Sequence, residues 1–381
     1  MRHSGSMDLP LHGGKAPYWL LKRMKELSKP IFEILIYEYG TEGLLKRLSD
    51  PFFFQALSCV LAFDWHSSGT TTVLTGVLKS SINPEEFGIG FAGGKGKNSK
   101  NTFSDIEIIG SQFGLSDKKI KELHYTSKIT AKIDSAAIQD GFDLYHHVTI
   151  FSDKGKWSVI QQGLNTEGGY ARRYHWSNRI DNYIEEPHTG IVSDIVKIKT
   201  LDLTSKDSTE TRSIIPDIIK EGPGRVRRLI ESLIDIKQTS LMSFIDESNI
   251  INTSHNFDVA VLPKRVNWNI LRDIYEADLK NFEDILAFKD MGRSTIKGLA
   301  LISELIYGTT LSWKDPVKYS FAFGGKDGVP RPVNKKGMDD AAEILSNAIK
   351  EAKIGAGDKI KSLKNLRTFL GPYNENLTYF N

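Results

Sequence analysis

The chain reads as an α+β protein, with a helical N-terminal part, a central β-hairpin or small sheet region, and an all-helical C-terminal unit. Three segments predict this. "PYWLLKRMKELSKPIFEILIYEYG" carries apolar residues at three- and four-residue spacing, the period of a one-sided helix. "LYHHVTIFSDKGKWSVIQQGLN" is two β-rich runs joined by residues 152–156, a hairpin signal. "NFEDILAFKDMGRSTIKGLALISELIYG" returns to helical spacing, with a tight turn at Met291-Gly292.

Taken in order, the first helix stops at Gly40, and Asp50-Pro51 starts the next, with Phe53, Leu57 and Leu61 on one face. Residues 64–69 form a polar break before another apolar helix. Residues 88–101 are rich in glycine and lysine and are expected to be a loop. After the hairpin, "YARRYHW" and "SDIVKIKTLDL" supply further strand or edge material. The pattern turns helical over 206–244, broken by "EGPGR", and 249–269 reads as a connector. The expected division is an α+β unit over 1–200 that carries the chemistry, a helical connector over 201–268, and a helical unit over 269–381.

With 381 residues, 40% hydrophobic and 25% charged, the chain has the balance of a soluble globular protein with room for two or three structural units. A net charge of +3 excludes a histone-like polycation, so any nucleic-acid surface must be a local patch. The single cysteine, Cys59, lies in apolar "FQALSCVLAF" and excludes an internal disulfide framework or a cysteine zinc cluster. No apolar run is long enough to span a bilayer and no signal-peptide pattern follows Met1, which points to the cytoplasm.

Gly-Gly-Lys occurs three times, in "LPLHGGKAP", "GFAGGKGKNSKNT" and "FAFGGKDGVPRP". Paired glycines let a backbone approach a ligand, free amides in such a turn make an anion site, and lysine adds a charge. As plain turns they need no ligand. As a phosphate track they would offer His12, Gly14, Lys15, Lys95, Lys97 and Lys326. "DWHSSGTTT" gathers Asp64, His66, Ser67 and Ser68 at the head of a helix, where hydroxyls can cap free amides or hold a phosphate. Lys128 and Lys132 lie one helical turn apart, and Arg172 and Arg173 stand beside aromatics in "ARRYHW", which suits phosphate clamping and base stacking or, equally, a core strand.

The histidines favour short polar clusters. His146 and His147 fall on the first strand of the hairpin and Gln161 and Gln162 on the second, so only one of each pair can face a shared site. Asp140 precedes them. Asp64, Asp140 and His146 are the expected ligands of a divalent metal, Mg or Mn, and His66, Gln161 and His175 complete the expected catalytic group. No E-x-K follows the hairpin. Gly88, Gly90 and Gly93 satisfy G-x-G-x-x-G by count, but no strand precedes them, and "GGKGKNS" lacks the Walker A spacing, so nucleotide hydrolysis is not expected.

"DLPLHGGKAP", "FDWHSSGTTT", "DGFDLYHH", "VIQQGLN", "ARRYHW", "EEPHTGI" and "DPVKYSFAFGGKDGVPRPV" together resemble DUF763, a family of uncharacterised, mainly archaeal proteins, across nearly the whole chain. That resemblance names no reaction. The segment around Met291-Gly292 resembles a helix-hairpin-helix element, which implies turn amides gripping a DNA backbone at Gly292, Ser294 and Thr295. "MGRSTIKGLAL" is also similar to the hairpin of DNA glycosylases of that kind, with Ser294 where bifunctional members have lysine and Asp315 as the nearest candidate aspartate.

The functional expectation is a metal-dependent DNA nuclease of repair or recombination. The alternatives are a base-excision enzyme using Asp315 and a non-catalytic DNA-binding or scaffold protein. The partner is nucleic acid, DNA before RNA, with no membrane, and oligomeric state is left open, a homo-oligomer included.

Overall fold

Five antiparallel strands run through the centre of the molecule in the order β1 (Ile89–Lys95), β3 (Asp143–Ser152), β4 (Trp157–Asn165), β5 (Tyr170–Ser177) and β6 (Gly190–Val192). A two-stranded ladder of β2 (Ile138–Gln139) and β7 (Leu201–Asp202) lies apart from them. The computed structural model describes residues 16–61, 68–193, 195–243, 263, 266–317 and 335–370. The fold is α+β, as expected.

The β3–β4 hairpin forms at the predicted turn. Ser152 N–H donates to the Lys156 carbonyl at 2.9 Å, and Gly155 takes the left-handed φ of 70° that the turn needs. β1 corrects the expected loop over 88–101: its glycines are ladder residues, with Gly93 opposite Val148 and Lys95 opposite His146. Gly93 has φ 98°, and a Cβ there would lie 2.3 Å from the His147 carbonyl oxygen. The glycine is required by close approach of two strands. Only 96–101 leave the sheet, as a 3₁₀ turn (Gly96–Asn101).

Both sheet faces are covered, and alternation assigns each side chain to one of them. Phe91, Val148, Ile150, Ile160 and Val192 pack against α1 (Tyr18–Leu48), α2 (Pro51–Val60) and α3 (Gly69–Ser81). Gly40, with φ 66°, breaks α1 where the sequence places a stop. Asp50 caps α2 by accepting from the amides of Phe52 and Phe53, with Pro51 at the first helical position. Every residue of α2 is buried. A short helix, α4 (Pro84–Phe87), leads into β1.

The opposite face, with Val159, Tyr174, Trp176 and Ile191, packs against α5 (Thr102–Gln112) and α6 (Asp117–Lys132) and then against a helical layer. That layer comprises α7 (Thr209–Lys220), α8 (Pro223–Ser243), α9 (Trp268–Ala277), α10 (Phe282–Ala287) and α11 (Arg293–Tyr307). The last two helices, α12 (Lys335–Glu351) and α13 (Ala356–Leu370), share a core with α1–α3 and not with α9–α11. Packing therefore groups the chain differently from a division at 200 and 268. Among the described residues, no helix is long and apolar enough to cross a membrane.

Candidate functional site

A cleft of about 460 Å³ opens between the end of the 3₁₀ turn, the C-terminal half of α6 and the start of β3. Its walls carry Lys100, Lys128 and Lys132 together with Ser127, Tyr145, His146 and His147, and among the described residues no carboxylate lines it. The register slips between Leu144 and His146, so residues from both sheet faces reach this edge. Lys95 Nζ lies 5.8 Å from the centroid of Tyr145 without lining the cleft, and Lys97 is exposed on the 3₁₀ turn. Partial burial lowers the pKa of Lys132, reinforced by Lys128 and opposed by Asp290.

The helical hairpin α10–α11 borders the same cleft. Lys132 Nζ donates to the Met291 carbonyl at the hairpin turn, and the side-chain amide of Gln139 donates to the Arg293 carbonyl at 2.8 Å. Arg293 pairs with Asp143 of β3 at 2.6 Å. Gly292 caps α11 in an extended conformation, and Gly292 and Arg293 are exposed beside half-buried Ser294. Thr295 is buried and accepts the amide of Asn267 at 3.2 Å. Its hydroxyl serves the fold and is not offered to a ligand.

Behind the cleft a chain of hydrogen bonds crosses the α6 side of the sheet. Ser127 Oγ lies 2.8 Å from His147 Nε2, and His147 Nδ1 lies 2.9 Å from Gln161 Oε1. The Gln161 amide donates to Asp134 Oδ2 at 2.6 Å. Asp134 also accepts Trp176 Nε1 at 2.9 Å and meets His188 Nε2 at 2.5 Å. Because the amide nitrogen of Gln161 faces a carboxylate, its oxygen must face His147, which places the His147 proton on Nδ1. Nε2 is then an acceptor toward Ser127, with Thr149 Oγ1 further off at 3.2 Å. Burial lowers the pKa of His147, against the pull of Gln161, and raises that of Asp134, against the pull of His188.

The other face holds a second polar row. His146 Nε2 lies 3.1 Å from Thr75 Oγ1. Gln162 bonds to Thr71, to Tyr145 and to the carbonyl of Ser68. Arg173 donates to Gln55 at 3.1 Å and lies over the Phe54 ring, and His175 meets that ring edge-on at 5.4 Å. Burial, reinforced by His147 and Lys95, pushes His146 down to about 3, and burial beside Arg173 carries His175 well below its usual range. Ser68 is buried at the head of α3, where its side chain makes no cap bond.

Several expected site residues are separated by this arrangement. His146 pairs across the hairpin with Gln162, and it is His147 that shares a side with Gln161. Asp140 lies on the α6 side, accepting Arg172 at 2.8 Å and the Tyr174 hydroxyl at 2.6 Å, so it does not meet His146 as a metal ligand. Arg172 is fully buried, held also by both oxygens of Asp315 at 3.0 and 2.7 Å, and presents no cation to a phosphate. Arg173 and His175 are buried under α2 rather than open to a substrate. The amide of Gly93 donates to the Asp105 carboxylate at 2.8 Å, so that amide is taken by the protein's own side chain. Among the described residues, no group of three histidine, cysteine or carboxylate side chains is arranged to hold a metal. His12, Gly14, Lys15, Asp64, His66, Ser67 and Lys326 lie outside the described residues.

Of the expected residues the structure brings Lys128 and Lys132 together in the cleft, with Lys100, Ser127 and His147 added, while Lys95 and Lys97 do not line it. Ser127 carries no spacing signal of its own in the sequence. The family model described as "Protein of unknown function (DUF763)" matches residues 5–333. Neither the curated proteins nor the solved structures gave a match.

Proposed function

The chain belongs to the DUF763 family, whose function is unknown, and from its own geometry we propose that it binds the phosphate backbone of nucleic acid, DNA first, in the cleft beside the α10–α11 hairpin. One observation carries this reading: among the described residues three lysines and no carboxylate line the cleft, and a hairpin turn stands at its rim. In a protein of net charge +3 such a one-signed wall is a local field, able to draw a polyanion and release its counterions. The start of α11, where Gly292 and Arg293 are exposed and no side chain caps the helix, is suited to phosphate oxygens. A chain with one buried cysteine suits a reducing compartment, and a cytoplasmic setting belongs to the same proposal.

The base-excision alternative draws no support from Asp315, whose oxygens are engaged by Arg172 and by the amides of Lys197 and Val317. A divalent metal held by Asp140 and His146 does not fit either, since these donors face opposite sides of the sheet.

Fluorescence anisotropy with single-stranded, duplex and branched DNA across a salt series tests the binding reading. Binding should weaken with salt, with a log–log slope of roughly −3 for three lysine contacts, and Lys100→Gln/Lys128→Gln should make it shallower by about 2. No binding at low salt, or an unchanged slope in the double variant, overturns the assignment.

A further inference from the structure

We propose that Ser127 and His147 are a nucleophile and base that cleave phosphodiester bonds in this cleft, an inference that rests on the nucleic-acid reading above and names its chemistry. Both residues line the cleft, and their side chains are 2.8 Å apart. The base is oriented from behind, His147 Nδ1 to Gln161 at 2.9 Å and Gln161 to Asp134 at 2.6 Å. Nucleophile, base and orienting group in hydrogen-bond sequence is the arrangement that activates a hydroxyl, whatever the fold and chain order. Here an amide stands between the imidazole and the carboxylate. It fixes the tautomer and passes the negative end of its dipole to the ring.

Burial keeps the His147 imidazole neutral near pH 7, as a base must be before it acts. In the first step Ser127 Oγ bonds to phosphorus while its proton moves to His147 Nε2. The bond from phosphorus to one bridging oxygen breaks, and that oxygen takes the proton from His147. Water then attacks the phosphoserine ester, giving its proton to His147, and Ser127 leaves with that proton. The sum is one phosphodiester and one water giving an alcohol and a phosphate monoester. Lys100, Lys128 and Lys132 supply the positive wall that favours a phosphodiester over a neutral ester. Gln161 and Asp134 are positioning residues.

The full-length protein is treated with a fluorophosphonate and mapped by mass spectrometry, then incubated with end-labelled DNA and RNA oligonucleotides in the presence of EDTA. A covalent adduct on Ser127 is expected, with labelling slowed at least about 100-fold in His147→Gln. Cleavage should fall by a similar factor in Ser127→Ala, while a cooperative melting transition and retained oligonucleotide anisotropy show that the variant still folds and still binds. The cleavage rate should rise with pH through the titration of His147 and then level, a profile that a structural role would not produce. Oligonucleotide binding without an adduct on Ser127 and without Ser127-dependent cleavage overturns this inference and leaves the binding reading standing. An adduct with turnover of a carboxylic ester but not of either oligonucleotide overturns the phosphodiester assignment. Absence of oligonucleotide binding by the wild type removes both readings.

Discussion

His146 and His147 are consecutive, yet they belong to different sides of the sheet: the first meets Thr75 of α3 at 3.1 Å, the second Ser127 of α6 at 2.8 Å. One ring is locked between the sheet and the N-terminal helices. The other stands at a cleft with a hydroxyl in front of it and an amide behind.

His146 should make stability depend on pH. Its folded pKa of about 3 lies below the ordinary value of 6.5, so below about pH 6.5 the unfolded chain binds a proton that the folded chain refuses. Its contribution is present above pH 6.5 and shrinks as pH falls toward 3, by up to about 1.4 kcal/mol per pH unit. Urea midpoints of wild type and His146→Gln between pH 7 and 4.5 should show a flatter slope in the variant. Parallel slopes would mean that His146 is accessible to protons in the fold.

Asp315→Asn should unfold the protein more readily. It removes one partner from an Arg172 side chain that is fully buried, and breaking such a pair costs roughly 3–5 kcal/mol. Chemical denaturation measures this directly. A base-excision role for Asp315 instead predicts an inactive variant of normal stability.

Gly93→Ala should lower the melting temperature. The added methyl would lie 2.3 Å from the His147 carbonyl oxygen at a φ of 98°, so the cost exceeds about 1 kcal/mol. Gly96→Ala is the control: its φ of 57° is strained, but the added carbon meets nothing within 4 Å, so its cost should be the smaller.

Lys97→Gln should leave stability within about 0.5 kcal/mol of wild type, because Lys97 is exposed on the 3₁₀ turn. If the nucleic-acid path runs along that turn, the salt slope of DNA binding should become shallower by about 0.9. An unchanged slope would confine the path to the α6 wall.

Local rules made much of this fold legible. Asp50-Pro51 was readable as a helix start because capping depends on adjacent residues, and the hairpin was readable from its turn. Counting outward from that turn also pairs His147 with Gln161, so the correct partner was within reach of register alone. β1 was hidden because its glycines, which read as loop chemistry, answer to a neighbouring strand far along the chain. Arg172 and Ser127 were hidden for a related reason. Whether an arginine meets a phosphate or a buried aspartate 143 residues away, and whether a helical serine meets a histidine, is decided by packing and not by spacing.

The burial of α2 has a consequence for how the protein is made. Its ten residues, with Phe52, Phe53 and Phe54 in succession, are covered partly by α12 and α13, which the ribosome delivers some 280 residues after them. At about 5–20 residues per second, this apolar helix waits many seconds in the nascent chain before its last cover arrives. Truncation within 335–370 should therefore yield an aggregating product, however far these helices lie from the cleft.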